Sequence, residues 1–343
     1  MKTSIIAKRL FAFSLQIAGV VSRRLRRHPK SEIAVLMYHR VLPRNEMDFT
    51  AQAGMFVEPE TLKAHLLYLR RHFEVVPLSY LALTQPEAEK ISDRKPLCAL
   101  TFDDGWVDFY KYAFPILRAN DIPATVFLPT DFIGTERWFW TDRLAFLLDR
   151  LLRAGNFSLD SSATTDGLLL ELTQTKGSPE EKLESMIARL KAHLPERIDS
   201  VLTQLTVALG EGTVPTKRAF LSWEEVREMF ASGLITFGSH TASHPLLTNV
   251  SEEIARQELS KSKVALIAQG VVDRNCISFS YPNGSYSAAL SRMAQEEGYH
   301  LAVITQRGWH KIGTNPYTIR RIAIHEDMST TGAMFGARIV NLI

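Results

Sequence analysis

The chain has 343 residues, of which 45% are hydrophobic and 22% are charged, as is typical of a globular protein that buries a sizeable core. Its 40 lysines and arginines against 37 aspartates and glutamates leave a net charge of +3, and this balance gives no support to nucleic acid as a partner. The two cysteines, Cys98 and Cys276, lie in apolar runs, so we expect buried free thiols and no disulfide framework.

An apolar run from Leu10 to Val21 lies between basic clusters near the N-terminus. It is shorter than the roughly 20 apolar residues of a membrane-spanning helix, and the basic residues that follow it oppose export. We therefore expect a cytoplasmic protein in which residues 1–30 form an amphipathic, basic segment that touches the inner membrane. A solvated or domain-packed helix is the alternative, and a signal peptide that is cleaved on export is the less favoured interpretation.

Strand-like and helix-like patterns alternate from Ile33 to Thr130 and again after Phe220. Strands are predicted at 33–37, 73–78, 97–102, 124–128, 234–237, 276–279, 301–305 and 319–324. Helices are predicted at 60–71, 78–83, 107–119, 222–232, 252–268 and 286–297. This alternation favours a parallel sheet or barrel.

The stretch from Trp138 to Phe220 breaks the alternation. Only helices are predicted there, at 143–153, 167–172, 179–194 and 195–209. We interpret residues 141–220, approximately, as a helical insertion in a domain that spans 31–343. The aromatic cluster Trp138-Phe139-Trp140 at its start is interpreted as packing, with a sugar-binding platform as the alternative.

Two adjacent carboxylates, Asp103 and Asp104, follow the strand at 97–102 and precede Gly105, which allows a turn. Two acids this close do not both ionise in a dry site unless a cation or a proton lies between them. The pair therefore indicates either a metal ligand beside a general base, or a polar strand end at which Asp104 caps a helix.

Two histidines follow the strand at 234–237. Pro245 disfavours helical backbone at His244, so we place His240 at the strand end and His244 in the following loop. Two imidazoles and one carboxylate leave positions open on a metal ion, as catalytic sites do. Because the carboxyl ends of parallel strands meet at one edge, this motif and the two aspartates are expected to form one site.

A third motif, Ser280-Tyr281-Pro282-Asn283-Gly284, follows the strand at 276–279. Its proline and glycine fix a tight loop whose backbone N–H groups can face a ligand. An ordinary turn is the alternative, but the position at a third strand end favours a wall of the site.

The order TFDDG, SHTxxH and YPxG resembles the polysaccharide deacetylase family, also called the NodB homology domain or carbohydrate esterase family four. The match runs from about Ile33 to Ile324, and the opening LMYHRV at 36–41 resembles one bacterial branch. The resemblance implies an α/β fold, a distorted (β/α) barrel of about seven strands with a helical insertion. It also implies a metal-dependent hydrolase that removes N-acetyl or other N-acyl groups from an amino sugar in a polysaccharide or glycan precursor.

The resemblance implies a role for each matching residue. Asp103 would be the general base, and Asp104, His240 and His244 would bind a divalent metal. The ligand set suits Zn²⁺ best, although Co²⁺, Ni²⁺ or Mn²⁺ would satisfy similar ligands. Asn283 occupies the position, commonly Tyr in the family, whose backbone N–H stabilises the oxyanion.

Two positions depart from the family pattern. Ser280 stands where the family often has an arginine that orients the base, and Arg321 or Arg40 could substitute for it. For the general acid that protonates the leaving amine, His325 is the candidate and His39 the rival, since both are expected at strand ends. The missing arginine also motivates an alternative function, a non-catalytic glycan-binding or assembly protein. A deacylase of a lipid-linked sugar at the membrane is the other alternative.

Overall fold

Seven parallel strands close into a barrel in the computed structural model, which describes residues 2–47, 52, 54–82, 95–153, 167, 177–210 and 217–343. In chain order the strands are β1 (Glu32–Tyr38), β2 (Arg40–Val41), β3 (Phe56–Val57), β4 (Glu74–Val75), β5 (Leu97–Phe102), β6 (Ala124–Leu128), β7 (Ile235–Ser239), β8 (Ser278–Ser280), β9 (Leu301–Arg307), β10 (His310–Lys311) and β11 (Ile319–Ala323). The barrel order is β1-β11-β9-β8-β7-β6-β5, and β5 pairs back onto β1 from Ile33↔Leu97 to Tyr38↔Phe102. The predicted distorted (β/α) barrel is confirmed.

The strands are buried because both of their faces are covered. Every residue of β5 and β6 is buried, as expected for parallel strands with the barrel interior on one side and helices on the other. In chain order the helices are α1 (Lys2–Ile17), α2 (Val20–Arg26), α3 (Pro59–His72), α4 (Phe114–Asn120), α5 (Trp140–Arg153), α6 (Pro179–Leu190), α7 (Pro195–Leu209), α8 (Trp223–Ala231), α9 (Glu252–Ala268), α10 (Ala288–Glu296), α11 (Glu326–Ser329) and α12 (Gly332–Ile339). No helix among the described residues is long and apolar enough to cross a membrane.

The helix predicted at 107–119 is divided in two. A π-helical turn, Phe109–Ala113, comes first, and the N–H of Phe114 bonds to the carbonyl of Phe109 five residues back. Pro115 follows at once, and it has no N–H to continue an ordinary α-helical ladder. The ladder therefore changes register just before the proline, which then lies in the first turn of α4, where proline is tolerated.

The strands predicted at 73–78 and 276–279 are both shorter in the structure. The strand expected at 73–78 is only β4, because Pro77 cannot donate a ladder hydrogen bond. The strand expected at 276–279 begins two residues later, since the N–H of Cys276 instead closes a turn onto the carbonyl of Asp273. Both cysteines are free thiols as expected, but only Cys98 is buried, and Cys276 is half-buried.

Residues 47–52 and 136–219 form a second compact unit. Its described part contains α5, α6 and α7, whose leucines and other apolar residues, including Leu144, Leu190 and Val201, form a core of their own. The predicted helix at 167–172 lies outside the described residues except for Gly167. The domain boundaries proposed from the sequence stay predictions.

A buried histidine couples β1 to the C-terminal helices of the main unit. His65 lies within hydrogen-bond distance of the Ser329 carbonyl through Nε2, at 2.7 Å, and of the Tyr38 hydroxyl through Nδ1, at 3.2 Å. Since a carbonyl only accepts, Nε2 carries the proton and Nδ1 accepts from Tyr38. Burial lowers the pKa of His65 to about 4, so the folded protein holds the ring neutral.

We expect His65 to make the fold acid-sensitive. The unfolded chain protonates this histidine near its usual pKa of about 6.5, whereas the folded protein resists protonation down to about 4. The contribution of the neutral His65 ring to the free energy of unfolding is therefore fully present above the unfolded pKa. It is lost as the pH falls, and at pH 4 the free energy of unfolding is lower by roughly 3 kcal/mol. Urea unfolding at a series of pH values would measure this. His65→Gln keeps one donor and one acceptor but cannot titrate, so its stability should fall less steeply; parallel curves for the two proteins would contradict the prediction.

Candidate active site

The two adjacent aspartates converge because the backbone leaves the strand conformation between them. Neighbouring side chains in a strand point to opposite faces. Asp104 adopts a left-handed conformation with φ of 74°, and Gly105 follows with φ of 64°. Glycine suits this turn because its φ is positive, and a Cβ there would also lie 2.7 Å from Cδ2 of Leu128.

Positive φ values mark all three motifs. Among the described non-glycine residues, φ is positive at Asp104, Asp121, Thr241, His244, Asn283 and Asn341. Four of these six lie in the motifs that the sequence singles out. Left-handed backbone is costly for such residues and persists at sites where the surrounding structure imposes it, which is typical of functional loops.

Asp103 is held by a fully buried arginine. Nη1 and Nη2 of Arg321 donate to the two carboxylate oxygens of Asp103, each at 2.7 Å, and Arg321 is 0% exposed. Ser280 supports the pair, because its hydroxyl lies 3.1 Å from Nη2 of Arg321 and 3.5 Å from Oδ2 of Asp103. Of the two arginines that could replace the family's usual one, it is Arg321 that contacts Asp103.

The charge of Arg321 decides the ionisation of Asp103. Burial by itself raises the pKa of this carboxyl, but the Arg321 guanidinium and the imidazole of His240 together hold it below its usual range. Asp103 is therefore an ionised carboxylate at neutral pH. Its own N–H bonds to the carbonyl of Tyr38 at 2.9 Å, so β1 fixes the backbone at this point.

Asp104, His240 and His244 form a compact group. Oδ1 of Asp104 lies 3.4 Å from Nε2 of His240 and 3.5 Å from Nε2 of His244. The three ligand atoms all lie within 4.8 Å of one another. Ligands at about 2.0–2.2 Å from a tetrahedral ion are separated by roughly 3.4 Å, so the donor set fits a divalent metal such as Zn²⁺.

The histidines present the correct atoms for a metal. Nδ1 of His240 lies 2.7 Å from the carbonyl of Ser280, so it donates its proton there and leaves Nε2 directed at Asp104. Burial and the neighbouring His240 lower the pKa of His244 to about 3, which keeps that ring neutral. The pKa of Asp104 is also lowered, because the two imidazoles and His39 outweigh the effect of burial. Burial lowers the pKa of His240, but its hydrogen bond to Asp104 and the charges of both aspartates outweigh burial and raise it. Metal coordination requires a neutral imidazole, so a bound metal would displace the proton from Nε2 of His240.

Glu258 on α9 shapes the loop that carries His244, and sequence reasoning missed it. One carboxylate oxygen accepts from the backbone N–H groups of Ala242 and Ser243, at 2.9 and 2.7 Å, and the other accepts from the Ser243 hydroxyl at 2.6 Å. Its sequence signal is weak, since glutamates are common on exposed helix faces. The Glu258 carboxylate thus accepts hydrogen bonds from two consecutive loop amides, and this fixes the backbone of the loop in which His244 lies.

Trp106 lies between Asp104 and a second ion pair, Arg40–Asp108. Its indole N–H donates to Oδ2 of Asp104 at 3.1 Å, and the guanidinium of Arg40 lies 4.4 Å from its ring centroid. Nε of Arg40 in turn donates to Asp108 at 2.7 Å. The side chain of Arg40 is therefore directed at Asp108 and Trp106.

The structure places the two candidate acids differently. His39 directly follows β1, and its charge lowers the pKa of both Asp103 and Asp104, so its ring lies within electrostatic reach of both carboxylates. His325 follows β11 and caps α11, and its Nδ1 contacts the carboxylate of Asp327.

Asn283 lies on the exposed loop after β8, with φ of 57°. Its carbonyl accepts from the hydroxyl of Thr305 at 3.3 Å, and its side-chain amide lies 3.3 Å from the hydroxyl of Ser285. A Cβ on the next residue, Gly284, would lie 2.5 Å from the backbone N of Thr305. The loop is thus pressed against β9, and this packing fixes where the Asn283 backbone points.

We expect His240 to be indispensable for metal binding. In a calorimetric titration of metal-stripped protein with Zn²⁺, His240→Ala should lower the affinity by at least about 100-fold, because one of three ligands is gone. His193, an exposed histidine of the second unit, provides the matched control, and His193→Ala should bind Zn²⁺ like the unsubstituted protein. Equal affinities for His240→Ala and the unsubstituted protein would refute the ligand set.

These features define a (β/α)-barrel protein with an enzyme-like site at the carboxyl-terminal edge of its strands. The family model for polysaccharide deacetylase matches residues 90–302, which is more than half of the chain. The chain therefore belongs to the polysaccharide deacetylase family, and the resemblance seen in its motifs is confirmed.

Individual relatives agree with this assignment. A protein of Bacillus subtilis (strain 168) named "Putative polysaccharide deacetylase YxkH" is 22% identical over 317 residues, 91% of this chain and 77% of that protein. The structure of Streptococcus pyogenes deacetylase PplD in complex with acetate is similar with a TM-score of 0.54 and 23% identity, over 87% of this chain and 95% of that one. IcaB from Ammonifex degensii gives a TM-score of 0.55 and 19% identity, over 89% and 97%. At these identities, the two structures show a shared fold.

Proposed function

We propose that this polysaccharide deacetylase is a metal-dependent hydrolase that removes N-acetyl groups from an amino sugar in a polysaccharide or glycan precursor. One observation carries the proposal. Arg321 fixes the ionised carboxylate of Asp103, and beside it the ligand atoms of Asp104, His240 and His244 are spaced to fit a divalent metal. The PplD structure is a complex with acetate, the product that such a reaction would release, and this supports the same chemistry here.

Asp104, His240 and His244 would hold the metal, with Zn²⁺ preferred. A divalent ion at this place supplies Lewis-acid polarisation of the acyl carbonyl and makes a nearby water more acidic. Asp103 needs such help, because a carboxylate whose pKa is held below its usual range is a weak base. The spacing of the three ligand atoms is the observation that supports metal dependence.

Asp103 would take the proton of the attacking water. Arg321 holds the carboxylate through both oxygens, so the orientation is set before substrate binds. Oδ1 receives a hydrogen bond from Arg321 and keeps a second lone pair for the proton. The backbone N–H of Asn283 would stabilise the negative charge that develops on the acyl oxygen when water attacks the acyl carbon, as the family pattern implies.

We assign protonation of the leaving amine to His39, with His325 as the alternative. The assignment rests on the position of His39, which directly follows Tyr38, the residue whose carbonyl accepts from the backbone N–H of Asp103. The charge of His39 also lowers the pKa of Asp103 and of Asp104. His39→Gln is expected to lower kcat on the order of 10²–10⁴-fold, the usual contribution of a general acid. His325→Gln serves as the matched variant and should change kcat less than tenfold. A larger loss in His325→Gln than in His39→Gln would reverse the assignment.

Release of acetate and formate from N-acylated hexosamines, their oligomers and lipid-linked sugars tests the function. Release by the Zn²⁺-supplemented protein, and none by His240→Ala, would support the metal-dependent deacetylase. If the folded, metal-loaded protein binds oligomers of this panel but hydrolyses none, the non-catalytic alternative takes its place. The missing third-motif arginine motivates that alternative, and the contact of Arg321 with Asp103 counts against it.

A further inference from the structure

We propose that α1 and α2 dock the protein onto the surface of an anionic lipid bilayer. An exposed apolar stripe on α1 lies next to a basic cluster at α2, and this juxtaposition carries the proposal. It is independent of the deacetylase chemistry, since it concerns a different part of the main unit.

The apolar stripe consists of Ile6, Leu10, Phe13 and Ile17, which are 57%, 66%, 58% and 72% exposed. Their spacing of four, three and four residues puts them on one face of the helix. Single exposed apolar side chains are ordinary, but a contiguous row of four large ones marks a surface that another partner covers.

The opposite face of α1 is anchored to the main unit. Ala12 is 0% exposed, and α1 packs against α12. Nζ of Lys8 lies 3.2 Å from the sulfur of Met328, and Arg9 donates to the hydroxyl of Thr330 at 3.1 Å. Because these contacts fix the rotation of α1, the stripe faces outward and is not buried by the protein itself.

A basic cluster continues from the end of the stripe. It comprises the exposed residues Arg23, Arg24, Arg26, Arg27 and Lys30. Three of these arginines, with Val20 and His28, line a depression of about 530 Å³. Val20 is 36% exposed, so an apolar side chain joins the stripe to the cationic depression. Cationic side chains at the border of an apolar helix face are the features by which interfacial helices bind phosphate headgroups.

The distribution of charge favours a lipid surface over a second copy of the chain. Residues 1–31 contain eight lysines and arginines and no acidic residue, although the remainder of the chain has fewer basic than acidic residues. Two copies that met through this face would bring like charges together, which costs free energy. An anionic bilayer instead offers negative headgroups above an apolar layer, and so it complements both parts of the surface.

Co-sedimentation of the full-length protein with lipid vesicles tests the proposal. We expect binding to phosphatidylcholine vesicles that contain phosphatidylglycerol, little binding to pure phosphatidylcholine, and weaker binding as salt is raised. The double variants Leu10→Ser/Phe13→Ser and Arg23→Gln/Arg24→Gln should each reduce the affinity at least about tenfold. Leu67→Ser is the matched control, since Leu67 on α3 is 64% exposed but lies outside the stripe, and it should bind as the unsubstituted protein does.

Several results would overturn the proposal. They are equal binding to both kinds of vesicle, binding to neither, or unchanged affinity in both double variants. A concentration-dependent dimer in sedimentation velocity, lost in Leu10→Ser/Phe13→Ser while vesicles go unbound, would assign the surface to a second copy. Circular dichroism of each variant establishes that it is folded, and Ile17→Ser provides a further stripe variant for the same comparison.

Discussion

Replacing Asp103 with asparagine is expected to reduce deacetylation on the order of 10²–10⁴-fold while Zn²⁺ binding survives. Asparagine keeps an oxygen that can accept from Arg321, but it cannot take a proton from water. The residues that fit the metal, Asp104, His240 and His244, are left in place. Acetate release and calorimetric Zn²⁺ titration on the same preparation would separate the two effects.

The control must account for the buried charge that this substitution leaves behind. Asp108→Asn also breaks a buried carboxylate–arginine pair, in which Nε of Arg40 lies 2.7 Å from Oδ2 of Asp108. We expect both variants to be destabilised, but Asp108→Asn to keep its rate within about tenfold of the unsubstituted protein, because Asp108 does not face the reacting atoms. Wild-type turnover in a folded Asp103→Asn variant would refute the assignment of the base.

Arg321→Met is expected to cause the largest loss of stability, about 3–5 kcal/mol. Arg321 is 0% exposed and Asp103 is 3% exposed, so the substitution leaves a buried carboxylate without its main partner. Urea unfolding would measure the free-energy change, and activity should be lost as well because the base is no longer held. A loss below about 1 kcal/mol would mean that water reaches and solvates the carboxylate.

A double variant distinguishes a broken ion pair from a simple packing defect. Arg321→Met combined with Asp103→Leu removes both charges, and replacement of a buried pair by apolar side chains is often neutral or stabilising. The double variant should therefore regain most of the lost stability and remain inactive. If the two substitutions instead add, the cost of Arg321→Met comes from packing and not from the unpaired carboxylate.

Much of the candidate site could be predicted, because the residue types and their positions after predicted strands are enough to indicate it. Asp104, His240 and His244 each follow a buried parallel strand, and the ends of such strands meet at one edge. The alternating patterns likewise predicted β5 and β6 with their observed bounds. Short pairings such as β2–β3 left no sequence pattern, since two residues cannot show a period.

The orienting arginine could not be chosen from the sequence. Arg320 and Arg321 are adjacent, so only one of them can face the barrel interior, and the register of β11 decides which. Arg321 shares its face with the buried Ile319 and reaches the carboxylate of Asp103. Arg40 was an equal candidate until the structure showed its side chain directed at Asp108.

The strand that precedes His240 was predicted to end too early, at residue 237, for a related reason. Gly238 and Ser239 resemble the start of a turn, yet both belong to β7. A Cβ at Gly238 would lie 2.7 Å from the carbonyl oxygen of Ser278, so glycine is needed there for the close approach of β8. The glycine reflects packing between strands, which local sequence does not reveal.

The pairing of Asp103 with Arg321 also constrains the order in which the molecule can assemble. The two residues are 218 positions apart, and the barrel closes only when β11 enters beside β1. During synthesis, a ribosome-bound chain that ends before Ile319 holds the Asp103 carboxylate without its arginine. Closure of the barrel and completion of the site are therefore one late, non-local event, and non-local pairing of this kind is slow. Until that event, the nascent protein exposes unpaired strand edges, and chaperones that shield such edges would be needed most at this stage.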